Sequence, residues 1–383
     1  MTLTGFVLLY IAATIAIGVI AATRVKNTSD FALAGRSLPL PMVITATFAT
    51  WFGSETILGL PGRFIESGIA GVIEEPFGSG MALILVGTFF AHKLYKQNIL
   101  TLGDYYRDRY GRSVELLCSV AIVISYLGWV GAQVTALGLV INLITEGAVS
   151  MTTGMVIGAA VVLAYTMVGG MWSVAMTDFV QMIVIVVGLV AILWFATDLA
   201  GGMDKVVDYA RGRDLFHAFP EPTTTGWLFW ISAAMTMMIG SIPQQDVFQR
   251  VMSAKNLPTA VAGPILGGSF YILFAFVPMF IVVAAILVMP DAAEKMLAED
   301  PQQLLPTLVR DYMPMWLRVV FFGAVLSAVM STASATMLAP STIFVENVLR
   351  HFMKIDDRNM LRAMRLSVAV FAVCVLSLSL IHI

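Results

Sequence analysis

The sequence predicts an all-α membrane protein with about ten spans. Of its 383 residues 59% are hydrophobic and only 12% charged, about half the charged share of a soluble domain. Mean hydropathy is +0.88. The apolar residues fall in long blocks, and a helix needs about 20 of them to cross a bilayer. That leaves little chain for a sizeable soluble domain.

Taken in order, the blocks read as spans near 4–23, 40–62, 70–92, 114–143, 150–168, 177–200, 227–243, 259–289, 315–345 and 363–383. The first follows no basic stretch and ends at Arg24 and Lys26, which favours a retained helix over a cleaved signal peptide. The second is interrupted. Gly53, Gly59, Pro61 and Gly62 weaken it, and Glu55 puts an ionisable group at membrane depth. A spanning helix tolerates such residues where freed backbone groups line a cavity or meet another partner, and a broken apolar segment with a carboxylate points to a transport site. A helix end with a Gly-Pro stop is the plainer reading. The third carries Glu74 and Glu75 before Pro76, lining an outer vestibule or simply hydrating a helix entry. Gly154 and Gly158 in the fifth have the spacing of close helix packing. The seventh runs into Gly240, Pro243, Gln244, Gln245 and Asp246, a second interruption. Paired broken segments at matching positions in two halves are the organisation of an inverted-repeat transporter. The ninth holds Ser327, Ser331, Thr332, Ser334 and Thr336. The tenth is still apolar at Ile383, and the expectation is that the sequence is a fragment.

Of the 22 Lys and Arg residues, 15 fall in alternate connections beginning with 24–39. Basic residues stay on the cytoplasmic side, so the N-terminus is expected outside. The connections 201–226 and 290–314 hold more acid than base and carry Pro220, Pro222, Pro290 and Pro301, as solvated loops do. A net charge of −2 suggests no nucleic-acid partner. Cys118 and Cys374 lie in apolar runs and read as small hydrophobes. No nucleophile–base set, metal triad or G-x-x-x-x-G-K-[ST] loop is present, which argues against an enzyme and against ATP-driven transport.

Five stretches in order resemble the sodium:solute symporter family. They are Asp30-Phe31 with Ala34 to Leu38; Thr50-Trp51-Phe52 with Gly59 to Gly62; Gly169 to Gln181, which is similar to a GG-x(5,6)-TD-x-x-Q signature; Pro243 to Lys255; and Ser327 to Thr332. The resemblance covers the whole chain and is strongest to the choline-transporter branch. It implies one extra N-terminal helix before a five-plus-five inverted repeat. The expected divisions are 1–39 for the extra helix and its cytoplasmic loop, 40–200 for the first repeat, 201–226 for an outer loop and 227–383 for the second repeat. Four of that repeat's five helices fit before Ile383, so the last core helix is expected to be missing. The expected location is a bacterial-type inner (plasma) membrane, surrounded by lipid; the oligomeric state is left open.

The implied function is sodium-coupled symport of a small organic solute, such as an amino acid or quaternary amine, by alternating access. A sodium ion wants several oxygens. Ala328 lies three and four positions before Ser331 and Thr332, so a carbonyl and two hydroxyls can share one helix face. The resemblance places completing carbonyls at Ala49 and Phe52, and an ion-exit role at Asp178, which is read as lying at the cytoplasmic start of the sixth span. The Ser and Thr run can equally bond back to its own helix or join neighbours. Candidate solute contacts are Trp51, Phe52, Glu55, Trp129, Gln133, Gln244 and Gln245. Trp51 and Trp129 fall where the branch has cage tryptophans, whose faces attract quaternary ammonium. Gln244 stands where a third tryptophan is expected, which favours a more polar solute. Two other readings stay open: a symporter-like membrane sensor domain of a signalling kinase, and transport coupled to protons through Glu55.

Overall fold

The computed structural model describes residues 3–353 and 355–381. Lys354 and Ile383, used above for charge and chain-end arguments, lie outside the described residues, as do the side chains at 357 and 358. Among the described residues the chain is helical, and its only extended pairing is an isolated parallel bridge between Leu38 and Ala254.

The helices are α1 (Leu3–Ala22), α2 (Thr28–Leu33), α3 (Leu40–Trp51), α4 (Leu60–Gly71), α5 (Ile73–Gln97), α6 (Leu102–Tyr110), α7 (Arg112–Ile144) and α8 (Met151–Leu199), followed by α9 (Met203–Gly212), α10 (Thr224–Gly240), α11 (Gln245–Met252), α12 (Leu257–Val288), α13 (Pro290–Glu299), α14 (Leu304–Tyr312), α15 (Met315–Phe352) and α16 (Asp357–Ile381). Among the described residues seven are long and apolar enough to cross a membrane, and α10 with α11, bent by 46° at their junction, are long and apolar enough only as a pair. The other interrupted segment joins α3 to α4 through a π-helical turn at Glu55–Gly59.

The sequence reading separates 150–168 from 177–200 by a connection. The structure has no loop there. A straight helix of 49 residues would run about 73 Å, against a hydrocarbon core of about 30 Å. A single residue divides it: Gly170, at φ 51° and ψ −138°. Only glycine enters that region readily, and a Cβ there would lie 2.3 Å from the Phe31 carbonyl oxygen. Asp178 consequently does not begin a helix. It lies two turns beyond the break, fully buried.

Two features bring the interior together. Gly154 and Gly158 let α8 press against α7: added Cβ atoms would meet the Gly138 oxygen at 2.9 Å and Leu137 Cβ at 2.7 Å. Among the seven long apolar helices α15 is the most enclosed. The most apolar part of it is 83% buried, and the run from Phe321 to Ile343 is enclosed without interruption. Its Ser and Thr residues therefore face protein, where a polar group needs a partner. Several bond back to carbonyls four residues earlier, as Ser327 does to Gly323 at 2.6 Å and Thr336 to Thr332 at 2.7 Å. Ser331 and Thr332 instead reach other helices.

A polar layer closes one end of the bundle. Asn347 donates to Asp104 at 3.1 Å and Glu115 at 2.8 Å, and accepts from Thr101 at 2.6 Å. Arg107 lies 3.0 Å from Asp104. This ties α6 and α7 to the last turns of α15.

Candidate functional site

The site is built on the break after α3. In an unbroken helix the Gly53 amide would donate to the Ala49 carbonyl. Phe52 leaves the helical region at φ −77° and ψ 75°, and the Gly53 amide turns to the Trp51 carbonyl at 2.8 Å. The Ala49 carbonyl loses its helical donor at a buried residue. Thr332 of α15 supplies one, its hydroxyl donating to Ala49 O at 3.2 Å. Gly53 makes this approach possible. A Cβ on it would stand 2.8 Å from the Thr332 hydroxyl and 3.2 Å from Gln133 Oε1.

Ser331 turns the other way, donating to Asp178 of α8. The second oxygen of Asp178 is buried and has no hydrogen-bond partner. The two hydroxyls expected to converge thus reach different helices, Thr332 towards α3 and Ser331 towards α8. Ala328 is buried one turn earlier on α15.

Beside the break lies a cavity of about 390 Å³. Of the candidate solute contacts it is lined by Trp51, Glu55, Trp129, Gln133 and Gln244, and Thr332 also reaches it. Gln133 Oε1 accepts from the Ser54 hydroxyl at 3.1 Å, which anchors the first turn after the break to α7. Trp51 and Trp129 stack with ring centroids 5.2 Å apart and 17° between planes. Glu55 pairs with Arg63 two turns along. Both are substantially exposed, so the pair contributes little stability but leaves Glu55 already partnered. Glu74 and Glu75 line the same cavity. Glu75 accepts from Tyr271 at 2.6 Å and Thr56 at 3.0 Å.

Two expected solute contacts are not brought to the cavity. The Phe52 ring is fully buried, packed on Phe48 at 4.7 Å and Phe274 at 5.3 Å. It fills the core behind the break. Gln245 is also fully buried, and its Oε1 accepts from the Leu102 amide at 2.9 Å. Gln244 is the extended N-cap residue of α11 and Gln245 its first helical residue, so the two side chains serve different surroundings.

The sequence reading missed three residues here. Tyr126 lines the cavity, stacks near-parallel to Trp129 at 5.9 Å and donates to Asp246 at 2.5 Å. Its spacing of three from Trp129 puts both on one helix face, a signal that was available. Arg63 lies two turns after Glu55, also a readable spacing. Arg250 is the third. Counted above as a basic residue of a cytoplasmic connection, it is 1% exposed. Its Nε donates to the Ala46 carbonyl at 2.6 Å and an Nη to the Asp246 carbonyl at 3.0 Å. It locks α11 to α3 one turn before Ala49.

Comparison with known proteins gives three results. A model of the sodium:solute symporter family matches residues 31–383. The human high affinity choline transporter 1 is 28% identical over 388 residues, covering 95% of this chain and 65% of its own length. Its Caenorhabditis elegans counterpart is 28% identical over 336 residues, with 84% and 56% covered. Sodium/glucose cotransporter 4 of Danio rerio is 25% identical over 417 residues, covering 98% of this chain and 62% of its own length. The chain therefore spans less than two thirds of the length of these relatives. Among solved structures, a substrate-bound outward-open Na+-coupled sialic acid symporter aligns with a TM-score of 0.87 at 19% identity, over 99% of this chain and 80% of the other. MhsT in complex with L-phenylalanine aligns at 0.63 and 12% identity, over 88% and 78%. At these identities the structural likeness speaks for the fold.

Proposed function

The chain belongs to the sodium:solute symporter family, and from that premise we propose that it is the membrane body of a sodium-coupled importer of a small organic solute. The import is secondary active transport by alternating access, in an inner (plasma) membrane with the N-terminus outside. No covalent step is needed.

The observation that carries the proposal is the Thr332 hydroxyl on the Ala49 carbonyl at 3.2 Å. A carbonyl released by a helix break and a hydroxyl brought from another helix are two neutral oxygens, and both can turn lone pairs to one cation once the hydroxyl proton swings aside. Neutral oxygens suit a hard monovalent ion and hold it weakly enough to let it go. In this reading Ala49, Phe52 and Ala328 offer backbone carbonyls, and Ser331 and Thr332 offer hydroxyls. Asp178, bonded to Ser331, lies on the ion's inward path. Trp51, Glu55, Trp129, Gln133 and Gln244 form the solute wall. The break serves both ligands: its carbonyl faces the ion and its tryptophan the solute. Solute and ion then stabilise one arrangement of the same turn, which is the coupling a symporter requires.

The test is uptake into proteoliposomes holding the complete protein. Accumulation is expected to require an inward sodium gradient. Equal uptake in potassium driven by a pH gradient would remove sodium from the mechanism and favour protons.

A further inference from the structure

We propose that the cavity takes a small cation that donates N–H hydrogen bonds, a protonated amine or a guanidine, in preference to a quaternary ammonium. This rests on reading the cavity as the solute site and adds the chemical class. Charge sets the sign. The wall holds Glu74 as well as the Glu55–Arg63 pair, and Arg63 is its one cation, so the Glu74 carboxylate is left without a counter-charge. The excess is negative, so a cationic solute is favoured.

Two observations choose between kinds of cation. A quaternary ammonium has no donor and relies on open aromatic faces. Here the π system of Trp129 is engaged by two near-parallel rings, Trp51 at 5.2 Å and Tyr126 at 5.9 Å. A cation would have to part Trp51 from Trp129 to lie between them. Hydrogen-bond acceptors, in contrast, are waiting. Gln244 lines the cavity, and its Oε1 is covered by protein with no donor among the described residues, so turning it to the cavity breaks no hydrogen bond, and an unpaired polar atom of this kind is costly until a ligand supplies the partner. An N–H donor satisfies it; a methyl group does not, and covers it as well. Trp51 Nε1 is likewise covered and without an acceptor among the described residues.

The experiment is calorimetric titration of the purified protein in saturating sodium with two matched pairs: ethanolamine against choline, and aminopentanol against its N,N,N-trimethyl counterpart. The primary amine of at least one pair is expected to bind about ten-fold tighter or more than its partner, the worth of one charge-assisted hydrogen bond. Equal or tighter binding of the trimethyl compounds overturns the proposal. Binding of none of the four, with sodium still raising the melting temperature, also overturns it while leaving sodium-coupled symport standing. Loss of the sodium effect as well would sink both. Gln244→Leu, with its sodium-dependent melting checked as a control for folding, is expected to bring the preference close to unity. An unchanged preference would show that Gln244 does not choose the cation.

Discussion

The hydroxyl of Thr332 donates to the carbonyl of Ala49 across 283 residues of sequence at 3.2 Å, joining the most enclosed of the long helices to the point where α3 stops being a helix. Thr332→Val keeps the shape and removes the oxygen. It is expected to raise the sodium concentration for half-maximal thermal stabilisation by about ten-fold or more, the scale of one lost hydrogen-bonding ligand. Gly53→Ala should act in the same direction, because its Cβ would stand 2.8 Å from that hydroxyl. Unchanged sodium titrations in both would mean that the contact only packs.

Trp51→Ala separates the two ligands. The ring faces the cavity, whereas sodium in the proposed site meets backbone and hydroxyl oxygens. Solute affinity is therefore expected to fall by about ten-fold or more while the sodium midpoint moves by less than about three-fold, on the usual scale of a buried aromatic contact. Parallel binding titrations for each ligand would read the split, and the reverse pattern would take Trp51 out of the solute wall.

Arg250 should matter to stability more than any surface cation. It is 1% exposed, and its guanidinium serves the Ala46 and Asp246 carbonyls with the Asp246 carboxylate 3.6 Å away. Arg250→Met leaves that carboxylate buried without its counter-charge, at a cost of about 3–5 kcal/mol. Arg250→Lys cannot reproduce the fork and should recover only part of this. Unfolding of the purified variants in detergent would measure both.

Asn347→Leu is expected to destabilise by about 3 kcal/mol or more, since it strips donors from two buried carboxylates, Asp104 and Glu115. Gly103→Ala tests the same layer by volume: its Cβ would fall 2.3 Å from Asn347 Cγ. Wild-type-like melting of either variant would count against this layer as a fastening.

Gly170→Ala is expected to cost roughly 2–3 kcal/mol through backbone strain alone, with the Phe31 carbonyl adding a collision. A gain in stability would show that the break straightens easily. The comparison needs only the melting temperatures of two proteins.

The membrane architecture was largely legible because apolar length is a signal each segment carries by itself. The two interruptions were legible for a related reason: glycine, proline and Glu55 conflict with a simple span wherever the rest of the chain lies. Gly170 was harder. Its neighbours are apolar and helix-compatible, so a one-residue break looked like a short connection, and Asp178 was set at a helix start. Arg250 could not be read. A basic residue beyond a span ordinarily belongs to solvent, and only the fold reveals that the Ala46 and Asp246 carbonyls surround it. Phe52 and Gln245 could not be read either, each lying next to a cavity residue in sequence with its side chain packed elsewhere. Tyr126 was legible, since its three-residue step to Trp129 puts both rings on one helix face.

The enclosure of α15 has a mechanical consequence. A helix with a lipid-facing stripe can slide against fluid chains, whereas one sheathed by protein must drag close-packed neighbours with it. From Phe321 to Ile343 there is no such stripe. Ser331 and Thr332 sit midway along this sheathed length and each grips a different neighbour. The helix is thus placed to serve as a fixed post.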